Sequence, residues 1–195
     1  MSLLNSVFLW IGAALSSSDY PVKEWLAPVD HAALEVAESG WSGAIFRNLY
    51  IGRGETPANW SRRIITWSAP SDMWGAGSVA TQATTAREAV MADCPGSRSG
   101  RLRLFNWSGK PAAEFWIACD RLPQTGRPDH YLVRMIAGEE QLLSAAITFR
   151  ARPTTAQIAA AGSYLDTLII CTEATAGPAC RSVPAPPRSV ASEPR

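Results

Sequence analysis

The chain has 195 residues, 47% of them hydrophobic and 18% charged, with a formal charge of +1 at neutral pH. Those values suit one globular domain with appendages and give no basic footprint for nucleic acid or an acidic membrane surface. Sixteen arginines against two lysines reflect the coding bias of a GC-rich bacterium, since they are scattered (Arg47, Arg53, Arg62, Arg63, Arg87, Arg98, Arg101, Arg103) with no basic run.

The chain opens on an apolar stretch, Leu3 to Leu15, of signal-peptide length, with small residues at Ala14-Leu15-Ser16 but no Lys or Arg before it. It is shorter than the ~20 apolar residues a membrane-spanning helix needs, so no stable membrane span is expected. Residues 1–18 are read as a leader and 19–41 as a lead-in, where Pro21 and Pro28 interrupt any long helix and one or two helical turns fit His31 to Ala37.

A single domain is expected over 42–176. Ala44 to Ile51 alternates as a strand does and runs into the turn Gly52-Arg53-Gly54; Arg63 to Trp67 is a second short strand. Ser78 to Ala92 reads as a helix, with Ser78 as N-cap and Val79, Ala83, Ala86 and Val90 at helical spacing, stopped by Cys94-Pro95-Gly96. Four strands follow in two hairpins. Leu102 to Trp107 and Ala112 to Cys119 flank Ser108-Gly109-Lys110-Pro111, and His130 to Ile136 and Gln141 to Phe149 flank Ala137-Gly138-Glu139.

The last helix opens on a capping box, Thr154 with Gln157, and carries Ile158, Ala161, Leu165 and Leu168 as one apolar stripe, with Cys171 at its end. Residues 177–195 are Pro-, Ser- and Arg-rich and read as a disordered tail. Without alternating βαβ units, this order predicts an α+β fold, an antiparallel sheet packed with helices.

Four cysteines, Cys94, Cys119, Cys171 and Cys180, are even in number and fit disulfides, which persist in oxidising compartments. Cys94–Cys119 would tie the first helix to a strand end and Cys171–Cys180 would close a small loop. The alternative Cys94–Cys171 link between helix ends remains open, because four cysteines allow three pairings. Metal binding fails on spacing, with no Cys-x-x-Cys and no nearby His pair.

Catalytic signals are sparse. The two histidines follow aspartates, Asp30-His31 and Asp129-His130, but a hydrolase triad needs convergence in space; His130 is expected to start a strand at the surface. Gly40-Trp41-Ser42-Gly43 lacks the spacing of a nucleophile elbow. Gly52-Arg53-Gly54-Glu55-Thr56 lacks the Gly-Lys-Ser/Thr ending of a phosphate loop, and Pro57 follows it. Asn59-Trp60-Ser61 and Asn106-Trp107-Ser108 match the glycosylation sequon by coincidence in a bacterial chain. Trp60, Trp67 and Trp74 recur every seven residues, and are expected mainly in the core.

Gly54-Glu55-Thr56, Trp60 and a strand, a helix, Cys94-Pro95-Gly96, Cys119, Gly126-Arg127-Pro128, Phe149-Arg150 and a terminal helix ending at Cys171 form a pattern that resembles uncharacterised envelope proteins of proteobacteria. Their arrangement is similar to the PsbP-like α/β sandwich, and the resemblance spans Ser42 to Cys171. It implies an extrinsic, non-enzymatic adaptor or accessory role and carries over no functional residues. The expected function is therefore an exported binding or accessory protein, periplasmic or secreted, without a cofactor, whose partner is an envelope protein or a small apolar ligand. One alternative is a carrier with an apolar pocket beneath the terminal helix, lined by Trp67, Trp116 and Leu165. Another is an envelope hydrolase using His130 or His31 with an aspartate and a serine.

Overall fold

A computed structural model describes residues 22–30, 32–42, 44–72, 77–123, 126–172, 174 and 177–181. The proposed leader, His31, Trp74 and most of the proline-rich tail lie outside the described residues. The chain folds as β1 (Glu24–Ala27), β2 (Leu34–Ser42), β3 (Ile45–Gly52), β4 (Arg63–Pro70), α1 (Val79–Asp93), β5 (Arg98–Ser99), β6 (Arg103–Trp107), β7 (Lys110–Cys119), β8 (Asp129–Ala137), β9 (Gln141–Phe149), α2 (Thr155–Leu165), β10 (Ile169–Thr172) and α3 (Pro178–Arg181). Among the described residues this is an α+β protein with three helices and a mainly antiparallel sheet.

Eight strands form one sheet in the order β2-β3-β4-β9-β8-β7-β5, with β6 alongside β5 on the outer side of β7. Every pairing is antiparallel, which short hairpins permit. The β6–β7 hairpin turns on Ser108 and Gly109, both at positive φ (50° and 80°), as a two-residue type I′ turn demands. Glycine tolerates that backbone freely at the second position.

Successive side chains of each strand point to opposite faces, and the sheet therefore carries two cores. On one face α1 lies over β7 and β8, pressing Val79, Ala83, Ala86 and Val90 onto Phe115, Ile117, Tyr131 and Val133. These are the four helix positions expected from spacing, and Ser78 caps the helix by accepting a bond from the Thr81 amide. On the other face α2 and the small β1–β10 sheet cover Phe46, Ile64, Leu132, Leu143 and Ala145. Trp25 and Leu26 of β1 and Leu165 and Leu168 pack there. The expected capping box at Thr154 and Gln157 is present.

Three expectations are corrected. The lead-in is no appendage: β1 and β2 both form within it, and all four residues of β1 are buried. The final helix ends at Leu165, and Cys171 lies in β10, paired with Trp25 across the small sheet. The expected tail begins with a helical turn, α3, that carries the buried Cys180.

Cys94–Cys119 and Cys171–Cys180 are the two disulfides, with Cα–Cα distances of 6.0 and 5.5 Å. The first joins the C-cap of α1 to the end of β7; the second ties α3 to β10. The Cys94–Cys171 alternative is thereby excluded. These two cysteines belong to cores on opposite faces of the sheet.

Candidate functional site

The three residues named for an apolar pocket do not converge. Trp67 is buried on the α1 face of β4, at 3% exposure, whereas Leu165 is fully buried on the α2 face. Trp116 is half-buried and packs toward the α2 face, where its indole sits so close to Gly100 that a side chain there would collide with it. The sheet thus separates Trp67 from the other two, and the three cannot line one cavity.

His130 is also placed differently from expectation. It is the second residue of β8, but only 2% exposed. Its Nδ1 is buried without a hydrogen-bond partner, and its Nε2 stands 4.0 Å from an Asp120 carboxylate oxygen. That carboxylate is bonded to Arg152. Burial lowers the His130 pKa, against the pull of Asp120 and Asp129. No serine hydroxyl bonds to this imidazole among the described residues, so the arrangement lacks the nucleophile–base contact of a hydrolase.

The α2 face holds a buried ionic network. Arg134, with no exposed surface, donates from Nε and Nη2 to one Glu114 oxygen at 3.0 and 2.7 Å. It also donates to Asp166 at 2.7 Å and to the Gly162 carbonyl at 3.1 Å. Arg103 takes the other Glu114 oxygen at 2.7 Å, and both guanidinium groups lie over the Phe105 ring. These bonds engage the buried arginine from β7, from α2 and from the residue that caps α2, so the network is a clamp holding helix to sheet.

The α1 face differs at the end where β4 begins and β9 finishes. An open concavity of about 270 Å³ lies there, lined by Glu55, Thr56, Asn59, Trp60, Ser61 and Arg150 among others. Arg150 donates from Nε to the Trp60 carbonyl at 2.6 Å and from Nη2 to Asn59 at 3.2 Å. Its guanidinium lies 4.8 Å from the centre of the Trp60 ring, and that of Arg63 lies 5.9 Å from the same centre. Glu55 accepts from Ser61 and from the Gly52 amide, and the Ser61 hydroxyl contributes most to holding its carboxyl below the usual range. That carboxylate is a fixed acceptor and is not poised to exchange protons.

On the α1 side of the sheet three polar atoms are buried without hydrogen-bond partners: Arg63 Nε, Thr148 Oγ1 and Tyr131 OH. They are register neighbours on three adjacent strands, Arg63 opposite Thr148 and Thr148 opposite Tyr131. Sequence reasoning passed over this row, counting Arg63 among scattered arginines. The available signal was parity: Arg63 alternates in step with Ile65 and Trp67, Thr148 with Ala146, and Tyr131 with Val133, all inward-facing on the α1 side. The tryptophans divide, with Trp67 in the core as expected and Trp60 half-exposed at the concavity.

Among the described residues no cluster of three or more His, Cys, Asp or Glu side chains could hold a metal ion, and no helix is long and apolar enough to cross a membrane. No protein-family model matches the chain, and no curated protein matches it. Its fold defines it as an α+β domain with two disulfides and a row of unpartnered polar groups, Arg63, Thr148 and Tyr131, across three strands of its sheet.

Proposed function

We propose that the protein is an exported, non-enzymatic binding or accessory protein of the bacterial envelope, periplasmic or secreted, with a PsbP-like sandwich arrangement. The observation that carries this reading is the pair of disulfides, which uses all four cysteines and leaves no free thiol. Such bonds persist in oxidising compartments and are rare in the cytosol of mesophiles. The apolar leader supports the same compartment. An antiparallel sheet with α1 on one face and α2 on the other supports the sandwich arrangement. The non-enzymatic part is supported by the burial of His130 and by carboxylates tied into structural bonds, as Glu114 and Glu55 are. The apolar carrier has no support here, because the sheet divides its intended lining.

The test is expression of the complete chain in a bacterial host, followed by fractionation and intact mass without reductant. The expected result is recovery from the envelope or medium with a mass four hydrogens below that of the reduced chain. Recovery from the cytosol with four free thiols overturns the reading.

A further inference from the structure

We propose that the free edge of β6 takes up an extended peptide segment of a partner protein as an added strand, one in which acidic and apolar side chains alternate. This deepens the binding-protein reading above and rests on it.

Strand β6 is hydrogen-bonded to β7 on one side and, among the described residues, to no strand on the other. The two-residue turn at Ser108 and Gly109 makes Trp107 and Lys110 a hydrogen-bonded pair, and such pairs alternate along an antiparallel ladder. The main-chain groups of Trp107, Phe105 and Arg103 therefore turn toward β7, while those of Leu104 and Asn106 turn outward. Pro111, which has no N–H to give, stands opposite Asn106, where the ladder needs none. The outward amides and carbonyls are a template for one more strand.

Register assigns the side chains to faces. Arg103 and Phe105 stand opposite Glu114 and Ala112 on the α2 face, and Arg98 lies on that face opposite Ala118. Leu104 stands opposite Ala113 on the α1 face and is 57% exposed, the most open large hydrophobic side chain among the described residues. A strand laid along β6 thus meets guanidinium groups on one face and an apolar side chain on the other. An alternating acidic and apolar sequence matches both.

Charge singles out this occupant. From Pro95 to Ala113 the chain holds Arg98, Arg101, Arg103 and Lys110 and no acidic residue. Arg98 and Arg101 are exposed and, among the described residues, form no ion pair. Arg103 bonds Glu114 and leans over Phe105, yet 58% of its side chain stays exposed. Neighbouring acids are engaged or lie elsewhere. Glu114 and Asp166 are held by Arg134, and Asp120 by Arg152. Glu24 and Glu139 stand beside Lys110 at the hairpin end, while Glu88 and Asp93 belong to α1, on the face opposite Arg98 and Arg103. A second copy is a poorer occupant. Pairing β6 with β6 brings two sets of arginines to one seam, where like charges repel. The edge at β2 is broken by the bulge between Val36 and Glu38, and Glu38 is taken by Arg47.

The test uses the full-length oxidised protein and the end-capped peptide Glu-Val-Glu-Val-Glu-Val-Glu. One saturable site with Kd below about 1 mM is expected. Amide exchange should slow at Leu104 and Asn106 and stay unchanged at Phe105, whose amide already faces β7. N-methylation of alternate peptide residues should abolish binding in one phase only, because one set of peptide amides faces β6. Arg98→Glu/Arg101→Glu and Leu104→Asp, all at exposed positions, should each weaken binding at least about tenfold with Tm unchanged. Arg53→Glu, in the exposed turn after β3, should leave binding as it is. No saturable binding overturns the proposal, as does binding that Arg98→Glu/Arg101→Glu leaves intact. Equal binding of an all-glutamate peptide, or of both N-methylated peptides, shows a charge patch without strand addition and also overturns it. So does self-association that protects the same two amides without peptide, which assigns the edge to a second copy. Absence of binding in a protein that is exported and doubly cross-linked removes the edge site alone. A cytosolic protein with free thiols removes the functional reading whatever the titration gives.

Discussion

Arg134 and His130 stand four residues apart on β8, and both point to the α2 face, with opposite electrostatic consequences. Arg134 is charged, buried and fully engaged by Glu114, Asp166 and the Gly162 carbonyl. Removing one partner of such a buried pair strands the other. Arg134→Met is therefore expected to cost about 3–5 kcal/mol in urea unfolding, and Arg134→Met/Glu114→Leu to recover most of that loss. His130 is buried with its pKa below the ordinary value of about 6.5, so below that pH the unfolded chain binds a proton that the folded protein refuses. Stability should fall as pH drops from about 6.5 to the folded pKa and gain nothing further from this group below it. His130→Gln removes that contribution, and its Tm should decline less steeply over the window; an unchanged slope would show that burial leaves this imidazole unperturbed.

Element boundaries depend on a few local contacts that substitution can isolate. Thr154 accepts from the Gln157 amide while the Gln157 side chain accepts from the Thr154 amide. Thr154→Ala removes this reciprocal cap from α2, and a loss of about 1 kcal/mol in chemical denaturation is expected. The β8–β9 hairpin is closed by Glu24, which accepts from the amides of Glu139 at 2.7 Å and Glu140 at 3.3 Å. A methyl group at Gly138 would collide with that carboxylate and lie 2.6 Å from the Gln141 carbonyl. Gly138→Ala should cost about 1–3 kcal/mol, with amide exchange rising first at Glu139 and Glu140 as Glu24 is displaced. The second effect links distant segments. Glu24 lies in a strand that the sequence reading treated as a lead-in, and it closes a hairpin more than a hundred residues away.

For the whole molecule the two cross-links differ in the chain they close. Cys94 and Cys119 are 25 residues apart, Cys171 and Cys180 only 9. In the chain-entropy picture these loops contribute about 3–4 and 2–3 kcal/mol respectively. Urea unfolding of Cys94→Ser/Cys119→Ser should therefore show the larger loss, and Cys171→Ser/Cys180→Ser the smaller. The reverse order would mean that α3 and β10 depend on their link for native packing, beyond its effect on the unfolded chain. Two cores separated by one sheet also explain why no single apolar pocket forms from Trp67 and Leu165. Any apolar ligand must reach one face or the other.

What the sequence determined alone is whatever short-range chemistry decides. The α1 stripe, both helix N-caps and strands β3, β4 and β6 to β9 follow from periodicity and turn residues within a few positions of one another. Strands whose pattern is broken escaped that reading. All four residues of β1 are buried, so it shows no alternation. A bulge between Val36 and Glu38 puts β2 out of step, and Leu168 continues the helical spacing of α2 past its true end, hiding β10. Tertiary structure alone chose among the disulfide pairings and aligned Arg63, Thr148 and Tyr131, residues from 17 to 85 positions apart in the chain. The physical reason is that a site on a sheet face is made by register across strands, and register is fixed by the packing of both cores at once.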